Sequence, residues 1–268
     1  MIAKQKSISK ENLFHPTDSF LVSDTFPTVW CPGCGIGTAV YNFFEACKEK
    51  SIDREDLYII SGVGCTGKIP EILCFSSSAE TDGHIIEKAT RIDENNPDKK
   101  IVVFLNNADF LISGGEELKK AKKRELNILI IYINNFIYAL SKDRAFPMTP
   151  YMRQSTHGNF EIPYNIPYMA CSLGASFVAR WTPIRAGWMK QSFVESFSVK
   201  GLSLIEVISP CLIYDANTGR ILDPVERMAF YNDNSEIQFW VPLENLDIRR
   251  QKKIIIGKFL DKNRTHDS

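Results

Sequence analysis

The sequence predicts an α/β protein with a mainly parallel sheet and helices on both of its faces. Three observations lead there. Short apolar runs rich in β-branched residues recur along the chain. Segments with helical spacing separate them, and several runs end in glycine, asparagine or proline, as strands do where they enter functional loops. With 268 residues the chain has ample material for a buried core.

The elements follow in order. Residues 1–29 read as an irregular, polar arm carrying one apolar patch, Phe20-Leu21-Val22. Ala39, Val40, Phe43, Phe44 and Cys47 recur at helical spacing and predict a helix over 37–50. Leu57-Tyr58-Ile59-Ile60-Ser61-Gly62 is a short apolar run closed by glycine, as expected of a buried strand. Residues 85–91 suit a helix, and Lys100-Ile101-Val102-Val103-Phe104-Leu105 suits a central strand. Composition predicts a helix over 113–123, a third buried strand over 127–133, and a helix followed by a strand over 168–178. A helix over 193–199 and a strand over 202–208 complete the series. The expected organisation is a central domain over 30–220, between the arm and a C-terminal extension over 221–268, without internal repeats. Ligands of such sheets bind at the carboxyl ends of strands, and most of the motifs below begin there.

Bulk composition narrows function mainly by exclusion. The 32 basic and 32 acidic residues cancel, which gives no reason to expect a nucleic-acid partner. Apolar stretches such as Leu126-Asn127-Ile128-Leu129-Ile130-Ile131-Tyr132-Ile133 are too short to span a bilayer, so no membrane association is expected. The first thirty residues lack an apolar signal core, and seven cysteines is an odd count for a disulfide framework. Both predict a reducing, cytoplasmic setting. A balanced surface also suits a subunit buried in a complex.

The cysteines carry the clearest chemistry. In Trp30-Cys31-Pro32-Gly33-Cys34-Gly35 the Pro-Gly turn lets Cys31 and Cys34 reach one metal centre. Gly64-Cys65 and Ser209-Pro210-Cys211 each set a further cysteine beside turn formers, at the mouth of a loop. Four thiolates gathered this way suit an all-cysteine iron–sulfur cluster or a structural zinc. A zinc ribbon would carry a second close pair, so the scattered third and fourth ligands favour iron–sulfur. Cys47, Cys74 and Cys171 lie in apolar segments and read as core residues.

Further motifs accompany these cysteines. Gly62-Val63-Gly64-Cys65, Asn134-Asn135-Phe136-Ile137-Tyr138 and Gly174-Ala175-Ser176-Phe177-Val178-Ala179-Arg180 lie between the first and last of them. In this order the set resembles the thiamine-diphosphate-binding β subunit of 2-oxoacid:ferredoxin oxidoreductases, from Trp30 to the C-terminal run Lys253-Ile254-Ile255-Ile256-Gly257-Lys258-Phe259. The resemblance implies a thiamine-diphosphate-binding fold and oxidative decarboxylation of a 2-oxoacid to an acyl-CoA. Electrons would pass singly through a 4Fe–4S cluster to ferredoxin, and coenzyme A would take the acyl group. It implies that Cys31, Cys34, Cys65 and Cys211 hold the cluster. It also implies an α-type partner subunit, and γ- or δ-type subunits in a larger assembly, with the catalytic glutamate on the partner.

The resemblance further implies that Gly64, Cys65, Asn106, Asn107, Ala108, Asp109, Asn135, Ile137, Tyr138 and Leu140 line the cofactor site. Of these, Asn107, Asn135 and the carbonyl of Ile137 would hold Mg2+. Several positions depart from the family pattern. Its Gly-Asp-Gly-Asp reads Asn106-Asn107-Ala108-Asp109, so an amide stands where the metal-binding carboxylate should be, and side-chain atoms are added where backbone should approach phosphate. Its His-Gly-Arg reads Asp82-Gly83-His84, and its Gly-Ile-Lys reads Arg91-Ile92-Asp93, a basic-to-acidic change that opposes an anion. Its Tyr-Gly-Met-Thr-Gly-Gly-Gln reads Tyr138-Ala139-Leu140-Ser141-Lys142-Asp143-Arg144, leaving Leu140 to prop the bent cofactor.

Two accounts of the whole chain follow. One is a catalytic β subunit with an unusual diphosphate site, which the survival of Asn135, Ile137 and Leu140 favours. The other is a diverged, non-catalytic iron–sulfur electron-transfer or scaffold subunit without thiamine diphosphate, which the Asn106 to Asp109 changes favour. The first is the expectation carried forward. The basic run Lys119, Lys120, Lys122, Lys123 and Arg124 reads as a solvated helix face, and none of His15, His84, His157 and His266 has zinc-motif spacing.

Overall fold

A computed structural model describes residues 20–22, 30–80, 84–110, 117, 127–136, 164–209, 211–212, 223–248 and 253–264. Among them are eight strands: β1 (Leu57–Ser61), β2 (Ser76–Ala79), β3 (Lys100–Asn106), β4 (Ile128–Asn134), β5 (Phe177–Trp181), β6 (Ser203–Ile208), β7 (Ser235–Ile237) and β8 (Ile254–Asp261). They join one sheet in the order β2-β1-β3-β4-β6-β5-β8-β7. All pairings are parallel except that of β5 with β8. The α/β class with a mainly parallel sheet is therefore as the sequence predicts.

Alternation along the strands explains the layering. Ile59, Val102, Phe104, Leu129, Ile131, Ile205 and Val207 point to one face, where Phe43, Phe44, Met189 and Phe193 complete a core. Those partners come from the helices Gly35–Glu49 and Ala186–Phe197, which pack on each other. Ile60, Ile101, Val103, Leu105, Ile130 and Leu204 point the other way, onto Ile85, Ile86 and Ala89 of the helix Ile85–Asn95 and Ile166 and Ala170 of Ile166–Ser172. Strands covered on both faces need no polar side, so β4 is buried throughout.

Three differences from the sequence expectations have physical causes. The helix expected over 193–199 begins at Ala186, because the Pro183–Arg185 turn leads directly into it. β2 went unforeseen because Ser-Ser-Ser-Ala carries no apolar signal; at the sheet edge it needs only the ladder to β1. In the region past 221, β8 joins the same sheet through β5, against a run the sequence left without an element. In the arm, Phe20 stacks on Phe44 and Phe75 with ring centroids 5.7 and 5.4 Å apart. The helix expected over 113–123 lies outside the described residues save Glu117.

Candidate cluster and cofactor site

The carboxyl ends of β1, β3, β4 and β6 lie side by side in the sheet, and each delivers a sequence motif. The cysteine loop precedes them. The Cys34 amide donates to the Cys31 carbonyl at 2.9 Å, closing the Pro-Gly turn, and Gly33 takes φ +82°, a left-handed backbone that a side chain resists. At Gly35 a Cβ would lie 2.4 Å from both Pro183 Cγ and Ser209 Oγ, so the loop packs against the segment that carries Cys211. Trp30 Nε1 donates to the Cys65 carbonyl at 2.9 Å and ties in the third cysteine.

The thiols consequently act on one another. Burial pushes the Cys34 thiol up to about 11; the Ile36 amide opposes this, while Cys65, Cys31 and Cys211 add to it. Burial raises Cys65 too, with Cys211 and Cys31 contributing. Four such thiolates are tolerated together only around a positively charged centre, so the donor set fits a metal or cluster. The other three cysteines make no such group: Cys47 is fully buried in the core, half-buried Cys74 donates to the Leu21 carbonyl at 3.0 Å, and Cys171 is half-buried.

Beside this loop, the end of β3 folds into one helical turn, Asn107–Asp109. Asn106 Oδ1 accepts the Ala108 and Asp109 amides at 2.7 and 3.2 Å, and Asp109 Oδ2 accepts the Asn106 amide at 3.0 Å, a reciprocal cap. Asp109 Oδ1 also accepts the Val63 amide at 2.9 Å, and Asn106 Nδ2 donates to Thr66 Oγ1 at 2.9 Å, next to Cys65. Gly62 is required by this contact: a Cβ there would lie 1.9 Å from Asp109 Cγ. Burial pushes the Asp109 carboxyl up to about 6 against the opposing pull of the Val63 and Asn106 amides. Gly64 takes φ +68° as the chain turns toward Cys65.

Asn107 is 1% exposed. Its Oδ1 accepts the Tyr132 hydroxyl at 2.8 Å, whereas its Nδ2 is buried without a partner among the described residues. An orphaned N–H donor at a strand's carboxyl end is a polar group prepared for an acceptor, and it fits the phosphate oxygens of a bound cofactor; a metal could be held only by Oδ1. At the end of β4, Asn134 Oδ1 accepts the Phe136 amide at 3.2 Å, which holds Phe136 at φ +62° with half-buried Asn135 between them. The Ser209 amide donates to the Asn134 carbonyl at 2.9 Å, linking this turn to the Cys211 segment.

The structure thus brings together Cys31, Cys34, Cys65 and Cys211, and beside them Gly64, Asn106, Asn107, Ala108, Asp109 and Asn135. Ile137, Tyr138 and Leu140 lie outside the described residues, as do Lys142, Arg144 and the basic run from Lys119. His84, exposed on the other flank, meets Glu117 at 2.9 Å. Sequence reasoning missed Tyr132, Thr66 and Glu206. Glu206 left a signal, because it is the one charge inside the apolar run of β6, as Arg180 is inside β5. Complementary charges in neighbouring buried strands predict a pair, and Arg180 Nε meets Glu206 Oε2 at 2.6 Å.

Comparisons with known proteins agree with this geometry. Residues 83–207 match the family described as thiamine pyrophosphate enzyme, C-terminal TPP binding domain. The chain is 32% identical over 250 residues to the 2-oxoglutarate synthase subunit KorB of Methanocaldococcus jannaschii, covering 92% of each. It is 31% identical to the subunit of the same name from Methanothermobacter marburgensis, over 94% of this chain and 88% of that one. Among solved structures, the 2-oxoglutarate:ferredoxin oxidoreductase from Magnetococcus marinus shares the fold, with a TM-score of 0.78 over 98% of this chain and 88% of that one at 22% identity. Among the described residues no helix is long and apolar enough to cross a membrane. Similarity of this extent to the KorB chains, with the cysteine loops and capped turns where the sheet order puts them, assigns the chain to the β subunits of the 2-oxoacid:ferredoxin oxidoreductase family.

Proposed function

We propose that the chain works as the cofactor-carrying β subunit of a complex that oxidatively decarboxylates a 2-oxoacid. The names of its KorB relatives favour 2-oxoglutarate. The observation that carries the reading is the convergence of four cysteines next to the ends of β1, β3 and β4. When bound, thiamine diphosphate supplies the electron sink for loss of carbon dioxide, and a 4Fe–4S cluster supplies the one-electron path toward ferredoxin while coenzyme A takes the acyl group.

The chain's own residues have distinct tasks. Cys31, Cys34, Cys65 and Cys211 hold the cluster as thiolates. Asn107 presents its orphaned Nδ2 as a donor to the diphosphate, and its Oδ1, which keeps a second lone pair beside the Tyr132 hydroxyl, is its Mg2+ ligand; Asn135 with the Ile137 carbonyl completes the metal contacts. Asp109 stays out of the metal shell; its two oxygens bind the Val63 and Asn106 amides and fix the two loops against each other. The family resemblance assigns Leu140 and Tyr138 to the same cofactor site. An α-type subunit supplies the remaining half of the site, including the glutamate.

A specific observation favours the second reading, an electron-transfer subunit without thiamine diphosphate. The Asn106 side chain fills the turn where the family has glycine and satisfies its own backbone there. The assembled complex decides between them. The catalytic reading expects reduction of ferredoxin that requires 2-oxoglutarate, coenzyme A and thiamine diphosphate together. Cluster reduction that ignores added thiamine diphosphate contradicts it.

A further inference from the structure

Beneath the Asn134-Asn135 turn lies a fully buried ion pair that the reading above does not use. Tyr132, Glu206 and Arg180 occupy one register row across β4, β6 and β5. Arg180 and Glu206 are 1% and 0% exposed. Arg180 Nε donates to Glu206 Oε2 at 2.6 Å, and its Nη1 donates to the Leu246 and Ile255 carbonyls at 2.9 and 3.3 Å. The other carboxylate oxygen, Glu206 Oε1, accepts from Asn134 Nδ2 at 2.7 Å.

That last bond decides which way Asn134 faces. With Nδ2 committed to Glu206, Oδ1 must point up the chain, where it accepts the Phe136 amide and closes the turn around Asn135. A buried pair is poor at stabilising a fold, since desolvation offsets most of the attraction. A buried pair is good at fixing one orientation of a neighbouring amide, as groups behind metal ligands commonly do. We propose that Glu206, anchored by Arg180, is a positioning residue: it sets the Asn134 side chain, and through the Phe136 turn it sets the direction of Asn135. The inference rests on the preceding reading that Asn135 holds the metal–diphosphate group.

The test titrates thiamine diphosphate and Mg2+ into the assembled complex by calorimetry, with iron content and the unfolding midpoint recorded alongside. Glu206→Gln keeps one acceptor oxygen for two donors; with Arg180 holding that oxygen, an amide N–H faces Asn134 where it needs an acceptor. It is expected to weaken thiamine diphosphate and Mg2+ binding about 10–100-fold while iron per chain stays at the wild-type value. The Asn134→Asp/Glu206→Gln double variant reverses the polarity of the same hydrogen bond. Its introduced carboxylate can still accept the Phe136 amide, so the double variant restores binding. Unchanged affinity in Glu206→Gln, or a double variant as weak as the single one, overturns the inference. If Glu206→Gln does not assemble, Asn134→Ala leaves the ion pair intact and is expected to show the same weakening; wild-type affinity there overturns it equally. A wild-type complex that binds no thiamine diphosphate overturns the preceding reading and this one with it, whereas wild-type binding with indifferent variants overturns this one alone.

Discussion

Gly62→Ala tests how the two central loops are locked together. Gly62 directly follows β1, and its missing side chain is where the Asp109 carboxyl sits: a Cβ would lie 1.9 Å from Cγ, 1.9 Å from Oδ2 and 2.0 Å from Oδ1. The contact has to open by roughly 1 Å, which overpacked sites achieve only by displacing a neighbour. Asp109 cannot yield without cost, because its oxygens hold the Val63 and Asn106 amides at 2.9 and 3.0 Å. Hydrogen bonds to a charged acceptor contribute about 1.5–3 kcal/mol each, so losing both costs about 3–6 kcal/mol. Gly62 itself has no left-handed backbone to lose. In an Asp109→Ala background the obstruction is gone, and the same substitution is expected to cost less than about 1 kcal/mol. The assay is a double-mutant cycle by chemical denaturation of the assembled complex, with hydrogen–deuterium exchange of peptides covering Val63 and Asn106. Equal cost of Gly62→Ala in both backgrounds would refute the reasoning.

Further expectations follow from the same geometry. Burial holds the Asp109 carboxyl up at about 6 rather than its ordinary 3.8, so the folded state favours the protonated form. Its contribution is full below about pH 4 and is lost as pH rises through 6, a fall of about 3 kcal/mol; Asp109→Asn should flatten the stability profile over that window, and an unchanged profile would contradict this. Cys211→Ser should abolish the visible iron–sulfur absorbance of the anaerobically prepared complex, whereas Cys171→Ser should leave it intact. Arg180→Met strands the Glu206 carboxylate and should destabilise by about 3–5 kcal/mol in thermal or denaturant unfolding, with Arg180→Met/Glu206→Leu recovering most of the loss.

The sequence revealed the site's chemistry better than its internal wiring. The strands at 57–62, 100–105, 127–133 and 202–208 were legible because both of their faces are buried, which leaves unbroken apolar runs. β2 was not, since a serine edge strand bound to one neighbour needs no apolar signature. The four cysteines were legible because each stands beside a turn former. The interactions of Asn106 were not: a family glycine replaced by asparagine reads as an obstruction, yet its side chain caps the turn and reaches Thr66. In hindsight Asn106 followed by Asp109 at the third position is a capping signature. Glu206 and Arg180 were visible only as isolated charges in apolar strands. Their pairing depends on β6 lying between β4 and β5, a strand order that local sequence does not encode.

The most direct test of the central claim is the composition of the complex purified anaerobically with its natural partner subunits, assayed for iron, sulfide and thiamine diphosphate in the same sample. The account predicts four irons, four sulfides and one thiamine diphosphate for each copy of this chain's site, as expected for one 4Fe–4S cluster beside one cofactor. Iron and sulfide without thiamine diphosphate, even after incubation with excess cofactor and Mg2+, would contradict it and leave an electron-transfer subunit on the same fold.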